Sequence, residues 1–168
     1  FNINELDWHG SEDHKDVEFT LTSAQHFSGR APGKINSQLW GSWIISSEKV
    51  KVYFSGDGGY SETFRGLGDR YGPFDIAFVE GSAYTADWSE VHMFPNKPVQ
   101  ASIDLKANVL FPIHWSEFNL SIHPWDEPII HITKEAGRRN VNITTSMIGE
   151  VFDLTNLPNN PWEEALKN

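Results

Sequence analysis

The sequence KVKVYFSGDGG, residues 49–59, joins an alternating apolar segment to an aspartate that lies between glycines. Alternation of valine and aromatic residues with a period of two indicates a β-strand. The glycines on both sides of Asp57 let the backbone turn sharply and leave the carboxylate accessible. An acid held at the end of a strand is suited to binding a cation, but aspartate is also a common turn residue, so this stretch alone leaves both interpretations open.

Composition limits the classes of protein to which the chain can belong. The 168 residues favour one domain with a substantial core. The net charge of -10, with only 13 lysines and arginines, argues against a nucleic-acid partner, because phosphate binding needs a basic stripe. Cysteine is absent, so any metal ion must be bound by histidine and carboxylate side chains.

Two further expectations concern the cellular location of the chain and its origin from a longer protein. No apolar run approaches the roughly 18 residues of a membrane span, so we expect a soluble protein without a transmembrane segment, located in the cytoplasm. The chain begins with Phe1 and not with methionine. We therefore expect that it was cut from a longer protein.

The predicted secondary structure has several antiparallel strands followed by alternating strands and helices, which is a layered α/β or α+β arrangement. Alternation and short apolar runs predict strands over residues 2–8, 17–22, 38–46, 49–54, 75–80, 108–113 and 141–152. Periodic apolar positions predict helices over residues 60–71, 95–107 and 126–139. Residues 9–16 are predicted to be the turn of the first hairpin. We assign residues 1–157 to the domain and residues 158–168 to a tail with a short closing helix.

Three side chains lie just beyond the carboxyl end of a predicted strand, namely His26, Asp57 and His114. Strand ends in a layered α/β protein meet at one edge of the sheet, where catalytic groups are usually located. Two imidazoles and a carboxylate at such an edge predict a site for Zn²⁺ or a similar divalent ion, and one carboxylate can bridge two ions. Taken singly, each histidine fits a capping or hydrogen-bonding role at least as well.

Five short segments carry a family resemblance. They read AQHFSGR (24–30), LWGSW (39–43), YFSGDGGY (53–60), VHMFP (91–95) and PIHW (112–115). Together they resemble the metallo-β-lactamase superfamily, in particular the branch of metal-dependent hydrolases that includes N-acylphosphatidylethanolamine-hydrolysing phospholipase D and, more distantly, the ascorbate-phosphate lactonases. The similarity extends from about residue 5 to about residue 152. It implies an α/β (α+β) fold that is half of a four-layer αββα sandwich, with a mixed sheet and helices on one side.

The resemblance also implies roles for four residues. His26 matches the third-motif ligand of the first metal ion, Asp57 the carboxylate that bridges two ions, and His114 a ligand of the second ion. In this superfamily the bridging position generates the hydroxide that attacks a phosphodiester, lactone or amide bond, here with Zn²⁺ as the expected ion and Mn²⁺ or Fe²⁺ as alternatives. His92 lies in a loop where the family often has a histidine near the metals. It either donates a proton to the leaving group or caps the helix that begins near residue 95.

One departure from the superfamily pattern concerns the signature HxHxDH, which supplies the other ligands and is missing from this chain. The nearest segment, residues 9–14, reads HGSEDH. Only eleven residues separate His14 from His26, too few for the strands and helix that the family places there. We interpret residues 9–14 as a hairpin turn and expect the signature upstream of Phe1. The isolated chain should then bind metal weakly and be inactive or nearly so.

Two other hypotheses stay open. A non-catalytic binding module, such as an acidic carbohydrate-binding domain, would place His26, Asp57 and His114 far apart. Its binding surface would use the tryptophans Trp40, Trp43, Trp88 and Trp115. A degenerate enzyme would instead use His9, Asp13 and His14 as metal ligands, which requires that turn to fold onto the same edge of the sheet. His123 and His131 are assigned to a loop and a helix surface, without a functional role.

The main hypothesis is part of a metal-dependent hydrolase whose substrate is a small-molecule or lipid-like ester. A phosphodiester is the expected substrate and a lactone is the alternative. Half of a sandwich leaves one apolar sheet face uncovered. We therefore expect self-association, or a chain that supplies the missing N-terminal half.

Overall fold

The computed structural model describes residues 3–29, 32–116, 118, 120–158 and 160. Within these residues one six-stranded sheet has its strands in chain order, β1 to β6. The strands are β1 (Ser11–His14), β2 (Val17–Ser23), β3 (Gly41–Ser46), β4 (Lys51–Phe54), β5 (Ile76–Glu80) and β6 (Leu110–Ile113). The helices are α1 (Thr63–Arg70), α2 (Asn96–Asp104) and α3 (Glu127–Arg139), with a 3₁₀ turn over Ala86–Trp88. Strands β1 to β4 pair antiparallel, and β4 to β6 pair parallel, which confirms the predicted α+β class with a mixed sheet.

One face of the sheet packs against the helices. The strand register places five buried residues side by side on this face: Thr20, Ile44, Tyr53, Ala77 and Leu110. The helices complete the same core with Phe64, Leu67, Val99, Ala101, Ile132 and Ala136. Burying a large apolar side chain contributes roughly 1.5–3 kcal/mol, so this core holds all three helices on one side of the sheet.

The opposite face is also apolar, but no described element covers it. Here the register aligns Leu21, Trp43, Phe54, Phe78 and Phe111 across five strands. None of these five side chains is fully buried, and Phe54 is 39% exposed. A groove of about 350 Å³ on this side is lined by Asn4, Leu6, Glu12, Phe19, Trp43 and Ile45. The uncovered face is what half of a sandwich would leave.

The first hairpin differs from the prediction. Residues 3–8 are not a strand, and the strand that pairs with β2 lies in the segment predicted as a turn. Its two-residue connection is Lys15–Asp16, and Lys15 adopts a left-handed φ of 56°. The four residues of β1 are all exposed. Backbone pairing at a sheet edge needs no apolar side chains, which is why alternation could not detect this strand.

The C-terminal part also differs from the prediction. The strand predicted over residues 141–152 is reduced to isolated bridge residues at 143 and 145, and Ile143 pairs in parallel with Leu110. The amide of Leu110 donates to the carbonyl of Asn142, and the amide of Thr144 donates to Leu110. Helices α1 and α2 are shorter than predicted, whereas α3 agrees with the prediction to within a residue. The predicted closing helix lies outside the described residues, apart from Pro158 and Asn160.

Strand direction fixes where the loops of interest lie. Strands β2, β4, β5 and β6 run the same way, so their carboxyl ends share one edge of the sheet. His26, Asp57 and His114 follow three of these ends, and Glu80 is the last residue of the fourth. His14 pairs with Val17 at the start of β2, at the opposite edge. None of the helices in the described part of the chain has the length and apolar character needed to cross a membrane.

Candidate active site

Asp57 lies at the centre of a group of three imidazole rings. One carboxylate oxygen, Oδ2, is 3.4 Å from Nε2 of His26 and 3.7 Å from Nε2 of His114. The other oxygen, Oδ1, is 3.5 Å from Nδ1 of His92. The preceding residue, Gly56, has a φ of 64°, and a Cβ there would lie 2.9 Å from the carbonyl oxygen of Gly41. The turn that presents Asp57 therefore requires glycine at that position.

His26 is oriented by its own backbone neighbour. Its Nδ1 lies 2.9 Å from the carbonyl oxygen of Phe27, and the two rings stack with centroids 4.7 Å apart. Because a carbonyl oxygen only accepts, Nδ1 must carry the proton. In the neutral ring this leaves the lone pair on Nε2, the atom that faces Asp57.

His114 occupies a strained position directly after β6. Its φ is 67°, the left-handed region that residues other than glycine rarely adopt. The next residue, Trp115, donates from its indole to the carbonyl of Pro112 at 3.0 Å, which holds the turn. Strain of this kind persists only where the surrounding structure imposes it, and it is concentrated at functional sites.

Glu80 was not among the residues expected at the site. Its side chain is 0% exposed, and it accepts from the backbone amides of Ser82 at 2.9 Å and Met93 at 3.0 Å. It also lies 3.3 Å from Nδ1 of His92 and 3.8 Å from Nδ1 of His114. The available signal was an ionisable residue that ends an otherwise apolar strand, Ile76–Glu80, beside the loop that carries His92.

Glu80 and His92 perturb each other's protonation. Burial raises the pKa of the Glu80 carboxyl, although hydrogen bonds from His92, Ser82 and Met93 act to lower it. Burial by itself lowers the pKa of His92. The hydrogen bond and negative charge of Glu80, with the charge of Asp57, more than offset this and raise the pKa of His92 above its ordinary value. The charged imidazole is thus favoured beside the two acids.

A set of hydrogen bonds joins the three loops that carry His26, Asp57 and His92. The amide of Gly59 donates to the carbonyl of Gln25 at 2.9 Å, and the Gln25 side chain donates to the carbonyl of Glu90 at 2.7 Å. A Cβ on Gly59 would overlap the carbonyl of Glu90. These loops pack too closely for any residue other than glycine at position 59.

The donor atoms fit a divalent ion. Ligands held at about 2.1 Å around a tetrahedral ion lie about 3.4 Å from one another, close to the spacings around Asp57. Four residues offer ligand atoms that all lie within 4.8 Å of one another: Asp57, Glu80, His92 and His114. His26 is outside that group but faces the same carboxylate. Imidazole and carboxylate ligands suit Zn²⁺, Mn²⁺ and Fe²⁺.

Other histidines lie elsewhere. His9 contacts the hydroxyl of Tyr71 at 3.0 Å, and His14 is at the far edge of the sheet, so residues 9–14 do not fold onto the site. His131 is exposed on α3, as expected. His123 lies in a loop, as expected, but it is buried and stacks on Tyr84 with centroids 4.3 Å apart.

The short distances from His26 and His114 to Asp57 test the alternative hypotheses. The binding-module hypothesis required His26, Asp57 and His114 to be far apart, and the observed contacts contradict it.

A cleft of about 580 Å³ opens beside His26. It is lined by His26, Phe27, Ser28, Gly29, Lys34, Ser37 and Gln38. His26 therefore borders a space of the size that small-molecule sites occupy.

Comparison with known proteins identifies a matching family profile and relatives of similar sequence. A family profile described as "Beta-lactamase superfamily domain" matches residues 1–115. An uncharacterized protein of Mycobacterium tuberculosis (strain H37Rv) is 34% identical over 164 residues, which cover 95% of this chain and 44% of that protein. N-acyl-phosphatidylethanolamine-hydrolyzing phospholipase D 1 of Caenorhabditis elegans is 25% identical over 163 residues, covering 90% of this chain and 46% of that protein. The chain thus spans less than half the length of these relatives.

Solved structures share the fold. Igni18, a metallo hydrolase from Ignicoccus hospitalis, aligns with a TM-score of 0.67 and 18% identity over 88% of this chain and 60% of that one. The isothiocyanate hydrolase from Delia radicum gut bacteria aligns with a TM-score of 0.67 and 16% identity over 92% of this chain and 60% of that one. At such identities the likeness concerns the fold alone.

Proposed function

We propose that this chain, which belongs to the metallo-β-lactamase superfamily, supplies part of the active site of a metal-dependent hydrolase. The bond that this hydrolase cleaves is a phosphodiester. The observation that carries this proposal is the meeting of His26, His92 and His114 around Asp57 at one edge of the sheet. Chemistry-bearing residues from four separate loops converge there. Such convergence is typical of an active site.

His26, Asp57 and His114 are the proposed ligands, which would hold the divalent ions. When bound, the ions supply a nucleophile at neutral pH by lowering the pKa of water, and they stabilise developing negative charge. The chain's own part is to hold these side chains ready, through the Phe27 carbonyl on His26 and the glycine turn before Asp57. Zn²⁺ is the expected ion, with Mn²⁺ or Fe²⁺ as alternatives.

His92 is the proposed proton donor. It lies 3.5 Å from Asp57, and its pKa is raised by Glu80 and Asp57. An imidazolium at the edge of the site can give its proton to the oxygen of a departing alcohol. The adjoining cleft beside His26 would take the substrate.

The choice of a phosphodiester rests on the relatives. Proteins of Caenorhabditis elegans and Saccharomyces cerevisiae that resemble this chain are named as phospholipases D that hydrolyse N-acyl-phosphatidylethanolamine. A lipid-like or small-molecule phosphodiester is therefore the proposed substrate, and a lactone is the second candidate. The isolated chain should be inactive or nearly so, since the HxHxDH motif is absent from it.

The test compares the chain alone with a protein in which it follows an upstream half that carries HxHxDH. Metal content is measured by mass spectrometry, and hydrolysis is measured with bis(p-nitrophenyl) phosphate, N-acylphosphatidylethanolamine in micelles and a lactone. We expect phosphodiester hydrolysis only in the joined protein. Asp57→Ala should lose bound metal and lower kcat by about 100-fold or more.

Asp13→Ala is the matched control, because Asp13 is an exposed aspartate in the edge strand β1. It should leave metal content and kcat unchanged. Loss of metal in Asp13→Ala would favour the degenerate enzyme that uses residues 9–14. Full metal content and activity in Asp57→Ala would overturn the proposed site, and turnover of the lactone alone would replace the proposed substrate.

A further inference from the structure

Glu80 is a buried carboxylate for which the proposed reaction gives no role. It is the last residue of β5, whose other residues are apolar, and its side chain is 0% exposed. Burying a carboxylate has a large cost in free energy unless it is paired and hydrogen-bonded. A residue kept at that cost has a specific set of partners, and these partners indicate what it does.

The hydrogen-bond partners of the Glu80 carboxylate are donors on the loop that carries His92. Oε1 accepts from the amide of Ser82 at 2.9 Å, and Oε2 accepts from the amide of Met93 at 3.0 Å. Oε1 is also 3.3 Å from Nδ1 of His92. Glu80 thus binds the beginning of the loop, its end and the imidazole at the same time.

Glu80 is itself fixed relative to Asp57. The hydroxyl of Ser55 accepts from the backbone amide of Glu80 at 2.9 Å and donates to the carbonyl of Gly56 at 2.7 Å. Ser55 is buried and lies two residues before Asp57. The end of β5 and the turn that presents Asp57 are therefore joined by a single hydroxyl.

His114, like His92, presents its Nδ1 atom to Glu80. Its Nδ1 is 3.8 Å from Oε1, too long for a direct hydrogen bond but close enough for electrostatic attraction, while its Nε2 faces Asp57 at 3.7 Å. A carboxylate behind the far nitrogen of a metal-binding imidazole fixes the tautomer and the orientation of the ring. One acid here lies behind two imidazoles.

We infer that Glu80 is a positioning residue that acts through the Nδ1 atoms of His92 and His114. It holds the ring of His92 in place and leaves Nε2 of His114 facing Asp57. The inference rests on the proposed function for the role of His114, but the arrangement of His92 can be tested without metal. Glu80 needs no contact with substrate for this role.

The first measurement uses the unaltered protein that carries this chain. Long-range ¹H–¹⁵N NMR spectra, recorded without metal at about pH 9 where a neutral ring is expected, report which imidazole nitrogen carries the proton. We expect His92 to be protonated on Nδ1. A proton on Nε2 would overturn the inference whatever the variants do.

The second measurement uses Glu80→Gln, which keeps the shape but turns an amide donor toward the donors of the loop. We expect a mixture of His92 tautomers, metal affinity about 10–100-fold weaker, and kcat about 10–100-fold lower with KM nearly unchanged. Glu80→Asp, which keeps the charge, should recover part of kcat. Glu48→Gln is the matched control, since Glu48 is exposed in the turn between β3 and β4, at the opposite edge of the sheet.

The outcomes separate the two proposals. If Glu80→Gln keeps the tautomer, metal affinity and kcat of the unaltered protein, the positioning role is wrong. If Glu80→Gln behaves as expected while Asp57→Ala retains metal, the proposed metal site is wrong, although Glu80 still positions His92. If Glu80→Gln does not fold, the NMR spectrum of the unaltered protein decides whether Glu80 positions His92.

Discussion

At Asp57 one carboxylate faces three imidazoles at 3.4–3.7 Å, and each imidazole comes from a different loop. His92 differs from the other two rings because its Nδ1 faces the two carboxylates of Asp57 and Glu80. It can therefore act as a proton donor or as a metal ligand, and a substitution separates these roles.

The residue-scale prediction concerns His92→Gln. Glutamine retains a hydrogen-bond donor for Glu80 but cannot supply a proton at neutral pH, so kcat should fall by about 10²–10⁴-fold while bound metal is unchanged. Steady-state kinetics with metal analysis checks this in the protein that carries the upstream half. His131→Gln, on the exposed face of α3, is the control and should behave like the unaltered protein. A parallel loss of metal in His92→Gln would make His92 a ligand instead.

At the scale of elements, helix α1 contains two glycines in different surroundings. Gly66 is exposed, and a Cβ there would have nothing within 4 Å. Gly68 is buried, and a Cβ there would overlap the carbonyl of Asp104 at the end of α2. The close approach of α1 to α2 therefore depends on Gly68, whereas Gly66 only adds backbone freedom to the unfolded chain.

The element-scale prediction compares alanine at these two positions. Gly66→Ala should raise the free energy of unfolding by about 0.5–1 kcal/mol, since alanine lowers the entropy of the unfolded chain. Gly68→Ala should lower it by about 1–3 kcal/mol, because α1 and α2 must separate to admit the methyl group. Urea denaturation followed by circular dichroism measures both. Equal effects at the two positions would contradict the described packing of α1 on α2.

At the scale of the whole molecule, the sheet has one covered and one uncovered face. The helices pack on the first, and the second presents a row of apolar side chains from β2 to β6. Extended apolar surfaces of this kind are rarely left in water, and they associate with another surface. We propose that a second copy covers this face in the isolated chain, and that the upstream half covers it in a longer protein.

The whole-molecule prediction is that the isolated chain self-associates and that Phe54→Lys weakens this association by about 10-fold or more, equivalent to about 1.4 kcal/mol. Phe54 is 39% exposed on the uncovered face, so a charge there should oppose burial. Sedimentation velocity over a concentration series measures the effect. Ile148→Lys is the control, because Ile148 is fully exposed outside the sheet. A monomeric chain would contradict the prediction.

Much of the architecture follows from local patterns. The alternation in residues 49–54 and the apolar run before Glu80 identify strands, because a strand must match the two faces of a sheet wherever it lies. Parallel strands then bring their carboxyl ends to one edge, and so the neighbourhood of His26, Asp57 and His114 was predictable from their positions after strands. The segment β1 was not predictable, since its exposed polar residues pair only through the backbone.

The burial of Glu80 and the orientation of the imidazole rings could not be predicted from the sequence. In the sequence Glu80 is one acid among 23 Asp and Glu, and only folding shows that it is fully buried with Ser82, Met93 and His92 as donors. Burial and hydrogen-bond partners are properties of residues far apart in the chain, and the pKa of His92 depends on them. Local order along the chain therefore sets which residues reach the edge of the sheet, while packing between loops sets which atoms of those residues face one another.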